Sequence, residues 1–395
     1  MNNDRSEALR IFQAGVQAAD PFVAVSESLD DVDTPALMIA VGKAARLMAQ
    51  AALVRFSGVQ CLVVTNYENA SPLEGAEVMA AGHPVPDENG AAAARAVIAT
   101  LHDANGPVLA LISGGGSALL PAPAGALTLA DKAKVNDLLL ASGQDIVAMN
   151  LVRQQLSDLK GGGFLRHAAP QKVTALILSD VIGDDLSAIA SGPTVGPIGT
   201  ASDAIALLKT EGLWEKLPDV VRTHLQEAKA SLPLPEANNR LIGSNSKSVA
   251  AMAHAAGHAH VIPTPIDGDV GQAAKVICDQ AVIGTTVWGG ETTVILRGTG
   301  RGGRNQELAL RVALEARKRG WTDWTCLQGG SDGRDGPTDA AGGLVDQHTL
   351  DKISDVAGLL ANNDSYAALK EAGDLLMTDA TGTNVADLGV MIRNG

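Results

Sequence analysis

A chain of 395 residues with 46% hydrophobic and 19% charged residues is a folded chain, long enough for two domains. Its formal net charge of −14 argues against nucleic acid as the main partner and against an anionic membrane surface, while a few local cations still suffice for a small anionic substrate. Aromatic residues supply only 3%, so the cores must be built from Ala, Val, Leu and Ile, a composition that suits parallel strands covered by helices.

The N-terminal stretch carries Leu9, Ile11, Phe12 and Val16 at helical spacing and no apolar core of signal-peptide type, so the cytoplasm is the expected compartment. The residues "ALMIAVGKAARLMAQAAL" (36–53) read as strand, turn and helix, and "CLVVTN" (61–66) reads as a second strand. "PVLALISGGGSALL" adds a third strand with three glycines at its carboxyl end, and "KVTALILSDVIGDD" (172–185) adds a fourth. Alanine-rich helices are predicted over 89–102 and 128–144. This alternation predicts an α/β domain with a parallel, Rossmann-like sheet. The polar, proline-rich residues 231–239 read as a linker or long loop, which places an N-terminal domain at 1–235 and a smaller C-terminal α/β domain at 236–395, its last residues returning to the first domain. There "NRLIGSNSKSVAAMAHAAG" is strand, turn and helix, "AHVIPTP" is a strand, and two strand-like runs separated by Gly289-Gly290 precede a helix from about 305. "WTCLQ" is read as the final strand, before a loop rich in Gly and Asp. The cysteines Cys61, Cys278 and Cys326 are too far apart to suggest a disulfide frame or a zinc site.

In open parallel sheets, ligands collect where strands end and helices begin. The stretch Ser113, Gly114, Gly115, Gly116, Ser117 is either an anion cradle built from bare backbone N–H groups or a tight turn that packs helix against strand. It has neither the Walker nor the Gly-x-Gly-x-x-Gly spacing. Lys43 opens a helix, where the dipole disfavours a cation, so it is either a solvated lysine or a group that neutralises a phosphoryl oxygen. Asp180 ends a strand, where its carboxylate binds metal-nucleotide, acts as a base or caps the following helix. His83 lies on the loop "AGHPVPDENG", as a ligand contact or a turn residue. Asn245 and Glu291 follow the strand ends of the second half. Arg301 and Arg304 stand in "GRGGRNQE", where guanidinium forks suit carboxylate or phosphate oxygens. Asp332, Asp335 and Asp339 in "GGSDGRDGPTDAAGG" hold Mg²⁺ or shape Asx turns. The i, i+4 pair His254 and His258 is interrupted by Gly257 and is set aside as a metal site.

In order, "VGKAA", "AGHPVPDENG", "LISGGGSALL", "LSDVIGDDLSAIASGPTV", "GSN", "GGETTV", "GRGGRNQELAL" and "SDGRDGPTDAAG" resemble the glycerate 2-kinase family with a MOFRL C-terminal domain. The resemblance runs over essentially the whole chain. It implies ATP- and Mg²⁺-dependent phosphorylation of D-glycerate at its 2-hydroxyl, in a cleft between the two domains. It makes Lys43 and Arg304 the essential cations, with Arg301 the second candidate arginine. Asp180 completes the catalytic set in this reading. The 113–117 turn, His83, Asn245, Glu291 and Arg301 hold substrate or phosphate, and Asp180, Asp332 and Asp335 hold metal. The small molecules D-glycerate and ATP are the expected partners, with a homodimer left open. Two rivals are an NAD(P)H-dependent hydroxypyruvate reductase, for which residues 36–53 offer only "AVGKAA", and a non-catalytic sensor of the same frame.

Overall fold

The computed structural model describes residues 3–228 and 233–395. The chain divides into two compact units, one of Pro21–Ile242 and one that joins the residues up to Asp20 with Gly243–Gly395.

The first unit is built on β1 (Leu37–Val41), β2 (Gln60–Asn66), β3 (Glu77–Ala81), β4 (Val108–Ile112), β5 (Val173–Leu178) and β6 (Ala237–Gly243). Their order is β3-β2-β1-β4-β5-β6. β1 pairs in parallel with β2 and β4, β2 with β3, and β4 with β5. Every residue of β1 and β4 is buried, as expected for central strands covered on both faces. The helix Glu88–His102 lays Ala94, Val97 and Leu101 on Ile39, Ala110 and Ile112. It starts where Asp87 accepts the Gly90 N–H at 2.9 Å, a local cap that the sequence supplies. Four further helices (Leu129–Ala141, Ile146–Gln155, Ala201–Thr210 and Asp219–Glu227) bury Leu139, Val152, Leu208 and Val221 against one another. Two of them open with Thr–Asp capping boxes, Thr128 with Asp131 and Thr200 with Asp203.

The second unit holds a mixed sheet of β7 (Ala259–Val261), β8 (Ile266–Asp269), β9 (Gly284–Thr293), β10 (Trp324–Gly330), β11 (Gly342–Asp346), β12 (Leu375–Leu376) and β13 (Asp387–Arg393). β7 and β8 run parallel to β9, and β13 lies antiparallel between β9 and β10. Alternate residues of a strand face opposite sides. Leu388, Val390 and Ile392 therefore meet Ile11 and Phe12 of the helix Asn3–Gln17, while Met391 joins the core with Leu308 and Val312 of the helix Arg304–Lys318.

Five expectations change here. The N-terminal helix packs in the unit of Gly243–Gly395 and not with the residues that follow it in sequence, and the last residues form β13 in the middle of that unit's own sheet. "WTCLQ" is not the final strand, since β11, β12 and β13 follow it. The two runs around Gly289-Gly290 are one strand, β9. A β-carbon on Gly289 would stand 1.9 Å from Asn245 Oδ1, and one on Gly290 would stand 2.0 Å from the Ile266 carbonyl oxygen, so these glycines admit close neighbours and do not turn the chain. Of the expected linker at 231–239, residues 231–232 lie outside the described residues, and from Ala237 the chain is β6. Its polar residues suit a sheet edge, where Asn239 exchanges bonds with Thr194. No helix among the described residues is long and apolar enough to cross a membrane.

Candidate active site

A parallel sheet delivers the carboxyl ends of all its strands to one edge. Here that edge collects Lys43 after β1, Asn66 at the end of β2, His83 after β3, Ser113–Ser117 after β4 and Asp180 after β5. The chain direction around the sheet reverses between β1 and β4, the switch point where open α/β sheets leave a crevice for ligands.

The two loops at that point are zipped together. Lys43 N–H donates to the Gly114 carbonyl at 2.9 Å, and Ala44 N–H donates to Ser113 Oγ at 3.1 Å. Gly42 has φ +123°, and a β-carbon on it would stand 2.2 Å from Ser113 Oγ. Glycine is thus the residue that both the backbone twist and the close approach require. A β-carbon on Gly115 (φ +86°) would lie 3.1 Å from Lys43 Cγ and 3.2 Å from His83 Nε2. The lysine and the histidine therefore flank the bare turn. A β-carbon on Gly114 would lie 1.9 Å from Asp180 Oδ2, so the Asp180 carboxylate covers the turn from the β5 side. Burial, first, and the Lys43 ammonium, second, push the His83 imidazole below its ordinary pKa, which leaves it neutral at pH 7. Asn69 donates to the Lys43 carbonyl at 3.1 Å and to Asn66 Oδ1 at 2.8 Å, fixing the base of the lysine from the turn after β2.

The turn is braced from behind. Ser117 Oγ and Ser191 Oγ are 2.5 Å apart, and Ser191 also donates to Asn150 Oδ1 at 3.4 Å. Ala190 and Ser191 both adopt left-handed backbone (φ 50° and 61°), unfavourable for residues with a β-carbon. Gly161 N–H and Gln154 Nε2 hold the Ser191 carbonyl at 3.1 and 3.2 Å. Strain held in place by surrounding bonds is a frequent mark of functional loops.

In the second unit the register places Gly290, Asp387 and Gly330 side by side at one end of β9, β13 and β10. Arg304 opens the adjacent helix. Its Nε and Nη2 meet Asp387 Oδ2 and Oδ1 at 2.6 and 3.0 Å, a two-pronged pair, and its Nη1 meets Glu291 Oε1 at 2.9 Å. Asp387 is 3% exposed and Glu291 is 45% exposed on its side chain, so one partner is fixed in the interior and the other faces solvent. Burial works against the Arg304 charge, but the bonds to Asp387 outweigh it and hold the guanidinium above its ordinary pKa. Burial likewise raises the Asp387 carboxyl, with Arg304 opposing. Beneath them runs a buried polar ladder: Trp288 Nε1 donates to Gln328 Oε1, Gln328 to Asn305 Oδ1, and Asn305 Nδ2 to Asp387 Oδ1.

Three expected ligand residues have other work. Ser113 is 1% exposed and its hydroxyl joins the two loops. Asn245 Nδ2 donates to the Val385 and Asp387 carbonyls at 2.7 and 2.9 Å, which anchors β13 and leaves no amide proton for a ligand. Asp335 accepts the Asn305 and Gln306 N–H groups at 3.1 and 2.8 Å and so caps the start of the Arg304 helix, the use that its hydrogen bonds show. Arg301 stacks over Tyr366 at 4.8 Å and donates to the Pro337 carbonyl, while Asp332 accepts the Arg334 N–H within its own loop. Among the described residues, no group of three or more His, Cys, Asp or Glu side chains converges for a metal. Asp387 and Ser191 were missed by the sequence reading. The available signals were an acid at the head of the apolar run "DLGVMI" and the small residues of "ASGP".

Residues 7–226 match the family described as "Domain of unknown function (DUF4147)", and residues 284–387 match the MOFRL family. The chain is 39% identical to a D-glycerate 2-kinase of Thermotoga maritima, over 96% of each sequence. It is 37% identical to a glycerate 2-kinase of Pyrococcus horikoshii, over 98% of this chain and 97% of that one. Its structure is similar to the crystal structure of a glycerate kinase from Thermotoga maritima, with a TM-score of 0.93 and 36% identity over the full length of both.

Proposed function

The chain belongs to the glycerate kinase family that carries a MOFRL C-terminal domain, and from that premise we propose that it transfers the γ-phosphoryl group of ATP to the 2-hydroxyl of D-glycerate, giving 2-phospho-D-glycerate and ADP. The observation that carries this reading is the pairing of Lys43 with the glycine turn, joined through the 2.9 Å bond to Gly114. That bond fixes the Lys43 main chain, and its side chain leaves beside Gly115, so a cation and bare backbone N–H groups are available together, as a transferring phosphoryl group requires.

In this reading the Lys43 ammonium neutralises the phosphoryl oxygens, and the 114–117 turn offers N–H groups to them. Neutral His83, on the other side of Gly115, accepts a hydrogen bond from the acceptor hydroxyl. A loose transition state asks little of a general base, so orientation of that hydroxyl is the larger service. In the unit of Gly243–Gly395, Arg304 is offered as an anion contact, held at a fixed rotation by Asp387. An incoming anion competes with Glu291 for the outer guanidinium nitrogen.

A divalent cation is part of the proposal. Mg²⁺ usually takes one or two carboxylates and completes its shell with phosphate oxygens and water, so the single Asp180 carboxylate over the glycine turn fits it without a dedicated cage. The ion supplies charge neutralisation at the phosphates when bound.

Phosphorus NMR of the product made from D-glycerate, ATP and Mg²⁺ tests the reaction and the position of the ester together. A phosphate on the 2-oxygen supports the reading. A 3-phosphate corrects the regiochemistry, and NADH oxidation with hydroxypyruvate in place of phosphoryl transfer sinks it.

A further inference from the structure

The segment that leaves the glycine turn is tied down from inside by two buried ammonium groups. Lys160 is 6% exposed, and its Nζ donates to the Ser117 carbonyl at 2.9 Å. Lys132 Nζ donates to the carbonyls of Pro121 and, at 3.0 Å, Leu156. Lys160 sits at a small cavity lined by Val41, Ile112, Gly116, Leu159 and Phe164, directly behind the turn. Among the described residues no ion pair joins it to a carboxylate; its charged neighbours are Arg153 and Lys132, and the Asp158 carboxylate acts on Lys132. Burial, first, and Arg153, second, bring its pKa down to about 7. An ammonium in apolar surroundings without a counter-ion opposes folding, so its presence asks for a reason outside stability.

We infer that Lys160 is a positioning residue for phosphoryl transfer, lodging a positive charge behind the Ser117 carbonyl so that the glycine turn attracts and aligns an anion that the lysine itself never touches. The inference rests on the reading of that turn as the phosphate cradle. An anion on the turn supplies the missing counter-charge, so anion binding and Lys160 protonation favour each other, and each strengthens the other by the same factor. The residue is legible in hindsight as the lysine before a second run of three glycines, "LKGGGF".

The test is calorimetric titration of the full chain with Mg²⁺ and β,γ-imido-ATP, a non-hydrolysable analogue, between about pH 6 and about pH 9, a range that spans the Lys160 ionisation. The wild-type protein is expected to bind more weakly as pH rises through the Lys160 range. Lys160→Met is expected to lose about 10-fold in affinity at the acid end and to melt no lower than wild type. Lys160→Arg keeps the charge at every pH, so it is expected to retain affinity and to show a smaller fall with pH than wild type, the remainder being titration of the nucleotide itself. Unchanged affinity in Lys160→Met overturns the inference. So does a wild-type pH profile in Lys160→Arg, which decides the matter alone if the Met variant does not fold. Wild-type protein that binds the analogue and turns over glycerate, with both variants indistinguishable from it, overturns the role of Lys160 and leaves the proposed reaction standing. Wild-type protein that binds no nucleotide overturns both.

Discussion

The backbone N–H of Lys43 and the carbonyl of Gly114 are joined at 2.9 Å, so the loop after β1 and the loop after β4 move as one piece. The side chain of Lys43 therefore stands beside Gly115 because its main chain is fixed, with Asn69, in the turn after β2, holding its carbonyl. Lys43→Ala leaves those main-chain bonds intact and removes only the ammonium. Its turnover is expected to fall by at least about 100-fold, roughly 2.7 kcal/mol of barrier, with the thermal midpoint nearly unchanged. A coupled ADP-release assay with D-glycerate checks this, and a turnover equal to wild type removes Lys43 from the mechanism.

Gly114 is the position where a single methyl group separates the turn from the Asp180 carboxylate. Its β-carbon would stand 1.9 Å from Oδ2, which forces Asp180 or the turn to shift. Gly114→Ala is expected to lose about 100-fold in kcat/KM, since a displacement near 1 Å at a reacting centre has that scale. Gly196→Ala is the control: nothing lies within 4 Å of the added carbon, and activity should stay at the wild-type level.

Arg304 and Asp387 bind each other through two bonds, and Asp387 is almost wholly buried. Arg304→Met leaves that carboxylate with the Asn305 amide as its remaining side-chain donor. The expected loss of stability is about 2–3 kcal/mol, below the range for a fully buried pair because Arg304 is 35% exposed. Arg304→Lys keeps a charge but not the fork, so it should be more stable than the Met variant and still lose at least about 10-fold in kcat/KM. Urea denaturation and steady-state kinetics separate the two effects. Full activity in Arg304→Lys would show that the fork geometry is unnecessary.

Asp335 offers a pH test of the helix start. Burial raises its carboxyl from 3.8 to about 6, against the two backbone N–H groups that favour its charge. A carboxyl raised in the folded state keeps its proton when the unfolded chain has lost its own, so this group withdraws stability as pH climbs from about 4 to about 6. Asp335→Asn lacks that titration. The stability advantage of wild type over the variant should therefore shrink by roughly 3 kcal/mol between acid and neutral pH. A constant difference across that range, measured by urea unfolding, would place the Asp335 ionisation at its ordinary value.

The sequence by itself determined the parallel frame of the first unit. Runs such as "ALMIAV" and "VLALI" are apolar without alternation because β1 and β4 are covered on both faces, and the Thr–Asp and Asp caps are set by residues only three apart. It also marked Lys43, His83, the glycine turn, Asp180 and Arg304 as candidates, since strand ends followed by glycine or a helix are local signals. Tertiary structure decided the rest. Whether Asn245 and Asp335 serve a ligand or the fold depends on acceptors and donors 142 and 30 residues away. The place of Asp387 beside Arg304 depends on β13 being inserted between β9 and β10, a pairing of segments distant in sequence. The packing of the N-terminal helix against that same strand, and the burial of Lys160 behind Ser117, likewise arise only from long-range contacts that a local reading of neighbouring residues cannot contain.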